Sequence, residues 1–410
     1  MNKDANNLIV ALEIGTSKVV AAVGELAADG SYRIVGLGQS ESKGIKKGVV
    51  VNIEDTVESI GHAIEQAGAM ARCKIRNVFV GICGNHIQSF NSSGMVATKD
   101  TEVSAADVRR VIETAKVVNV PHDQQLLHVI PQEFIIDGND DVREPIGMSG
   151  KRLEVRVHIA TGSISAVQNI LKCVQRNGLH VSDLVYQPFA SAEAVLTKDD
   201  KELGTVFVDI GGGTTDVAIF SDGAVRHTAI IPIAGDQITN DVAMALHTPT
   251  IEAESIKLKY GVADHSLAHS GVFIDVPGIA GQPARRVTQQ FLGEVIEARL
   301  EELLLMVQQI VDESGYASMV NRGFVITGGT AQFQGMNELA QRVLKKGVRI
   351  GLPTYEGPMQ EVIQDPRYAT MYGLLLEGKN QLNRQALVSL RTSPKTIIWQ
   401  KVRDWFVGNF

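Results

Sequence analysis

Three consecutive glycines between two acids, DIGGGTTD at 209–216, are the most chemically pointed stretch of this 410-residue sequence. Glycines let backbone N–H groups approach a phosphate with no side chain in the way. The hydroxyls of Thr214 and Thr215 add donors. Asp209 and Asp216 can hold a magnesium ion through its waters, because Mg2+ keeps several waters and takes few protein ligands. A shorter stretch, EIGTSK at 13–18, offers a second clamp of the same kind, with Lys18 to neutralise phosphate charge. A third glycine turn, Gly328-Gly329, follows an apolar run in GFVITGG.

Two other nucleotide motifs do not fit. A dinucleotide GxGxxG fails because Gly211-x-Gly213-x-x is followed by Asp216, and the turn leads into a strand. GLLLEGKN at 373–380 has the glycines and lysine of a GxxxxGK[ST] loop but ends in Asn380 and sits in an apolar helix.

The elements that must carry these turns are strands. ALEIGTSKVVAAVGELAADG and GTVFVDIGGGTTDVAIFSDG share one plan: apolar strand, acid, Ile, Gly, polar turn, apolar strand, glycine turn. Glu13 and Asp209 stand 196 positions apart (209 less 13), so two related domains could face each other, although two glycine-turn hairpins could also be alike by chance. Around them strands alternate with helices (IEDTVESIGHAIEQAGAMA, then RNVFVGI), an α/β pattern. Residues 84–162 differ, with strand-like HIQSF, a helix capped by Ser104 and two further extended stretches, and read as a compact αβ insertion. A helix ends at Gly178, as a C-cap would. The spacing predicts one strong helical stretch over 235–261, an irregular or β segment over 262–290 and a long helix ending at Gly315.

The formal net charge is −7 and the hydrophobic fraction 44%, which gives the body no nucleic-acid footprint. Cys73, Cys83 and Cys173 form no CxxC pair, so neither a disulfide framework nor a zinc site is expected. The N-terminus lacks a secretory pattern, and no uncharged apolar run is long enough for a transmembrane helix. His128 and His158, in apolar strands, read as structural histidines. Lys43, Lys46 and Lys47 read as a solvated loop. Arg285 and Arg286 are either surface residues or a dock for an acidic peptide, whose carboxylates arginine binds in bidentate fashion.

Both tryptophans lie in the last twelve residues. On a helical wheel Ile398, Trp399, Val402, Trp405, Phe406 and Phe410 share an arc of about 140°. Lys401 and Arg403 flank it, placed to snorkel toward headgroups; Ile397 and Val407 break the polar face. From Lys379 onward six basic residues stand against one acid, Asp404. Such a segment suits an anionic membrane surface, and 381–394 reads as a flexible linker before it.

LEIGTSK, VDIGGGTTDVA and ITGGTAQF resemble the phosphate-1, phosphate-2 and adenosine motifs of the actin/Hsp70/sugar-kinase superfamily. Within it HVIPQEFIID, VREPIGMSGKRLEVRVHI, EAESIKLKYG, GEVIEARLEEL and the tail resemble the FtsA family of bacterial cell-division proteins, over essentially the full length. The resemblance implies an actin-like (ribonuclease H-like) two-lobed α/β ATPase fold, with an inserted subdomain 1C at 84–162 in place of 1B. Subdomain 1A would comprise 1–83, 163–203 and 347–380; 2A 204–243 and 306–346; 2B 244–305; the membrane-targeting helix 395–410. It implies ATP with Mg2+, contacted by Gly15, Thr16, Ser17, Lys18, Asp209, Gly211, Gly212, Gly213, Thr214, Gly328 and Gly329, with Lys257 and Glu297 at the nucleoside. It also implies polymerisation and binding of the C-terminal peptide of FtsZ at the subdomain of Arg285 and Arg286. Later division proteins would be recruited at the cytoplasmic face of the inner membrane, at the division site. Glu13 stands where the superfamily has Asp, and Gln187 where a water-orienting Glu or Gln falls; an amide is a poor general base, so weak or no ATPase activity is expected. A pilus-assembly adaptor of the PilM type, or a sugar-kinase or chaperone-type ATPase, are the alternatives.

Overall fold

The structure is a computed structural model that describes residues 7–27, 31–278 and 283–389, with only the backbone of 384–389. Its frame is two five-stranded sheets of one design. The first runs in spatial order His180–Tyr186, Asn77–Ile82, Leu8–Ile14, Lys18–Leu26, Tyr32–Glu41. The second runs Val348–Ile350, Phe324–Thr327, Thr205–Ile210, Thr215–Ser221, Ala224–Ile231. In each, the first three strands are parallel, the fourth runs antiparallel to the central one, and the fifth runs antiparallel to the fourth. The repeat in sequence is thus a repeat of topology, and each acid-led hairpin starts at the centre of its sheet. Both central strands are buried along almost their whole length because both their faces are covered, and each carries one charged residue, Glu13 or Asp209, next to its turn.

Three apolar cores hold this frame. One packs the first sheet on helices Ile53–Ala71 and Ile164–Arg176. Another packs the second sheet on Gly235–Leu246, Gln289–Glu313 and Met336–Leu344. The third lies between the sheets, where Gln187–Val195 crosses Ala369–Ser389. The crossing is close: a Cβ on Gly373 would sit 1.8 Å from the Ala190 carbonyl oxygen.

Two expectations need correction. The helical stretch over 235–261 is two helices, Gly235–Leu246 and Thr250–Tyr260, broken where His247 takes a left-handed backbone (φ 41°) and Pro249 withholds an N–H. The linker expected from 381 begins later, since helix Ala369–Ser389 runs on past it; Leu382 packs on the central core and Gln381 donates to Asp183. The remainder of that linker and the helix expected over 395–410 lie outside the described residues. Among the described residues no helix is long and apolar enough to cross a membrane.

The insertion has its own antiparallel sheet, in order Ile87–Ala97, Arg152–Ser163, Gln124–Ile136, Asn139–Val142, and its own core. Helix Ala105–Ala115 covers the sheet and begins with the Ser104 cap, completed as a capping box by Asp107. Polar side chains seat the insertion on the edge strand Ala224–Ile231: Ser89 donates to Thr228 O, Asn91 to Arg226 O and Gln132 to Val225 O. His158, 1% exposed, bridges Asn91 Oδ1 (2.7 Å) and Thr228 Oγ1 (2.9 Å). Burial depresses its pKa from 6.5 to about 3. Below pH 6.5 the unfolded chain therefore takes up a proton that the folded one refuses, so this contribution is complete above pH 6.5 and is lost as pH falls toward 3. Melting temperatures from pH 7 to 4 should fall more steeply for the wild type than for His158→Gln; parallel curves would remove His158 as the cause.

Candidate functional site

The two hairpin turns are built alike and face each other. Gly15 N–H donates to Lys18 O and Gly211 N–H to Thr214 O, each at 3.0 Å. The turns nearly touch, since a Cβ on Gly212 would lie 2.0 Å from Ser17 Oγ and one on Gly213 2.5 Å from Thr16 Oγ1. Thr16 also accepts the Gly48 N–H, at the end of the loop whose Lys43, Lys46 and Lys47 are exposed. A cavity of about 430 Å³ opens beside the turns. Glu13, Gly15, Thr16, Ser17, Lys18, Gln187, Asp209, Gly211, Gly212, Gly213, Thr214, Asp216, Lys257, Gly328 and Gly329 all line it.

Its floor is acidic. Asp209 and Asp216 are directly opposed across the second hairpin, with Glu13 beside them. Burial raises all three carboxyl pKa values, and the Asp209 charge adds to the rise at Glu13 and Asp216. Thr370 Oγ1 donates to Asp209 Oδ2 at 3.3 Å, and a Met371 backbone hydrogen bond reaches Glu13. Glu13 Oε2, Asp216 Oδ1 and Gln187 Nε2 are buried without partners. A buried polar atom without a partner is costly. Three of them around one cavity are what a hydrated cation and its ligand would satisfy, so this donor set fits Mg2+ held through waters. Gln187 opens helix Gln187–Val195 under Gly81, where a Cβ would meet its side chain at 2.9 Å.

The far wall is the glycine turn after Phe324–Thr327. Gly328 has φ 90°, and a Cβ there would lie 2.4 Å from Asp209 Oδ1 and from Ile210 O, so only glycine fits. Thr330 Oγ1 donates to Gly211 O, tying this turn to the second hairpin. Lys257 is buried and donates to Gly235 O and Thr239, 2.6 Å from the Glu254 carboxylate. Glu297 does not line the cavity. Its carboxylate accepts from His265 N–H and Nδ1 at 2.6 Å and pairs with Arg342. That carboxylate raises the His265 pKa.

Sequence reasoning missed Cys83, Thr330, Arg367 and Thr370 in this cleft. Thr330 carried a signal, since it lies within ITGGTAQF; Cys83, Arg367 and Thr370 had only their position just beyond a strand or at a proline-marked helix start, which spacing alone does not distinguish. Cys83 is buried, and burial pushes its thiol pKa up, which keeps it inert. Arg285 and Arg286 do not line the cavity; both are exposed on the ribbon Phe273–Val276/Arg285–Thr288. There Arg286 Nε pairs with Asp275 at 2.8 Å and Arg285 donates to Ala245 O.

Residues 206–373 match the family model of the cell division protein FtsA, and 84–161 match that of the SHS2 domain inserted in FtsA. The chain is 49% identical to the cell division protein FtsA of Pseudomonas aeruginosa over 99% of both chains. It is 41% identical to that of Escherichia coli K12 over 98% of both. Among solved structures it is similar to the PilM–PilN type IV pilus biogenesis complex (TM-score 0.66, 16% identity, 90% of this chain and 98% of that one). It is also similar to the MreB 5 protein of Spiroplasma citri bound to AMPPNP (TM-score 0.56, 13% identity, 95% and 99%). These likenesses show the fold, which is actin-like.

Proposed function

The chain belongs to the FtsA family of cell-division proteins, and on that premise we propose that it is an ATP-binding, polymerising adaptor that tethers FtsZ filaments to the cytoplasmic face of the inner membrane. The observation that carries the nucleotide part is the pair of equivalent glycine hairpins facing across one cleft, over three buried polar atoms without partners. In this reading the backbone of Gly15–Lys18 and Gly211–Thr214 cradles the phosphates, and Lys257, Gly328 and Gly329 border the nucleoside. Asp209 and Asp216 hold Mg2+ through its waters, and the ion neutralises phosphate charge. Gln187 can orient a water but is a poor base at neutral pH, so turnover is slow or absent. An MreB 5 structure holding AMPPNP in the same fold supports the cofactor class.

The insertion contributes none of the cleft residues. It serves contacts between subunits or with later division proteins in this reading. The Arg285/Arg286 ribbon is the dock for the acidic FtsZ peptide. Reversing both arginines to Glu should weaken the peptide by on the order of tenfold and flatten its salt dependence. Equal affinity in a peptide titration would place the dock elsewhere. The function as a whole is tested by co-sedimentation with anionic vesicles, with and without ATP and FtsZ peptide. Sedimentation is expected to require the tail and to rise with ATP. Sedimentation indifferent to both overturns the reading.

A further inference from the structure

A second cavity, of about 670 Å³, shares no lining residue with the cleft. Its apolar walls come from separate parts of the fold. Leu126, Val129 and Ile130 belong to strand Gln124–Ile136 of the insertion, Phe189 to helix Gln187–Val195, and Phe220 and Val225 to the second sheet. The remaining wall is the last helix, Ala369–Ser389, which contributes Gly373, Glu377 and Gln381. Residues four apart share one helix face, so the cavity runs along this helix toward its C-terminal end. There Gln381 Nε2 donates to Asp183 at 2.5 Å and to Glu377 at 3.5 Å. Two carboxylates thus stand at the end of the cavity where the chain continues.

We propose that, away from a membrane, the tail 395–410 folds back and lays its apolar arc in this cavity, so that the protein shields its own anchor. The chain has the reach. The helix rises about 12 Å from Gln381 to Ser389, and residues 390–397 can span up to about 26 Å, enough to return alongside it. The chemistry matches on both counts. The arc offers Ile398, Trp399, Val402, Trp405, Phe406 and Phe410 to an apolar wall, and Lys395, Lys401 and Arg403 outnumber Asp404 beside Asp183 and Glu377. A short connection also gives the protein's own tail a high effective concentration at the cavity, which favours it over any other occupant. One face cannot hold the cavity and a bilayer at once. Affinity for vesicles is therefore lowered by the fraction of chains whose tail is free. The proposal rests on the membrane reading of the tail and adds its regulation.

Both tryptophans lie in the tail, so tryptophan fluorescence of the full-length protein reports on this segment alone. Without vesicles, at a concentration where the protein sediments as a monomer, wild-type emission is expected to be blue-shifted and poorly quenched by acrylamide. Leu126→Lys sets a charge on the cavity wall at a side chain that is 39% exposed, a place where the fold tolerates one. This variant should shift the emission to the red, raise the quenching and bind anionic vesicles more tightly. The gain is about tenfold if about nine wild-type chains in ten are docked. Should it not melt cooperatively, Leu126→Gln carries the same comparison. Wild-type tryptophans as exposed as those of a free 395–410 peptide overturn the docking and leave the membrane reading standing. So does protection that persists in Leu126→Lys, which places the tail on another surface, or protection lost on dilution, which places it on a second copy. Unchanged vesicle affinity in Leu126→Lys overturns the competition. A wild type that binds no vesicles overturns the membrane reading, while its fluorescence still decides the docking.

Discussion

Gly213→Asp is expected to abolish nucleotide binding. A side chain at 213 enters the gap between the two turns, where its Cβ alone would lie 2.5–2.9 Å from three atoms of Thr16. The added carboxylate joins a floor that already holds Glu13, Asp209 and Asp216, all buried and all raised in pKa. The cations that line the cleft are already engaged, Lys18 at the Arg367 carbonyl and Tyr368, Lys257 at Glu254 and Arg367 at Asp365. An uncompensated buried charge costs about 3–5 kcal/mol, so affinity for an ATP analogue should fall by at least about a hundredfold. Gly213→Ala separates the two causes. A methyl group still meets Thr16 Cβ at 2.9 Å, so the alanine variant measures the steric part, and the further loss on going to aspartate measures the charge. A Gly213→Asp protein that binds the analogue with wild-type affinity in a fluorescence titration would mean that the two hairpins do not hold the phosphates.

Much of this site was legible because its chemistry is local. EIGTSK and DIGGGTTD each carry the acid, the turn and the donors within eight residues, and the identical order of the two sheets turns their likeness from a coincidence of glycines into one repeated unit. Other parts were not local. Thr370 meets Asp209 across 161 positions and Thr330 meets Gly211 across 119, and no spacing rule relates residues brought together only by lobe packing. Glu297 is a different case. The family pattern places an acid there, but this fold turns it onto His265 and Arg342, where its charge is satisfied. The overlong helix at 235–261 was a matter of punctuation: the apolar period continues through His247 and Pro249 while the backbone does not. The linker was misread because polar QLNRQ looks like coil in isolation, and only packing against the central core shows that the helix continues.

Trp405→Glu is expected to release the protein from membranes while nucleotide binding survives, because in the helix proposed for the tail position 405 belongs to the apolar arc shared with Ile398, Trp399, Val402, Phe406 and Phe410. Both tryptophans of a chain that is only 5% aromatic stand in this segment, and an aromatic ring with basic neighbours is at home in the headgroup region. A charge set into that arc must enter the acyl boundary or lift the face out of it. A helix of about fourteen residues is marginal in water, and one such helix holds a bilayer only weakly and reversibly. Assembly through the actin-like body would present many copies to one surface, and effective concentration then multiplies the weak contacts. Two results follow for flotation of the full-length protein with anionic vesicles over a concentration series. Wild-type binding should rise more steeply than in proportion to concentration, and Trp405→Glu should stay with the soluble fraction throughout. Proportional binding would remove assembly as the source of the attachment, and a Trp405→Glu protein that floats with the vesicles would remove this face of the tail as the anchor.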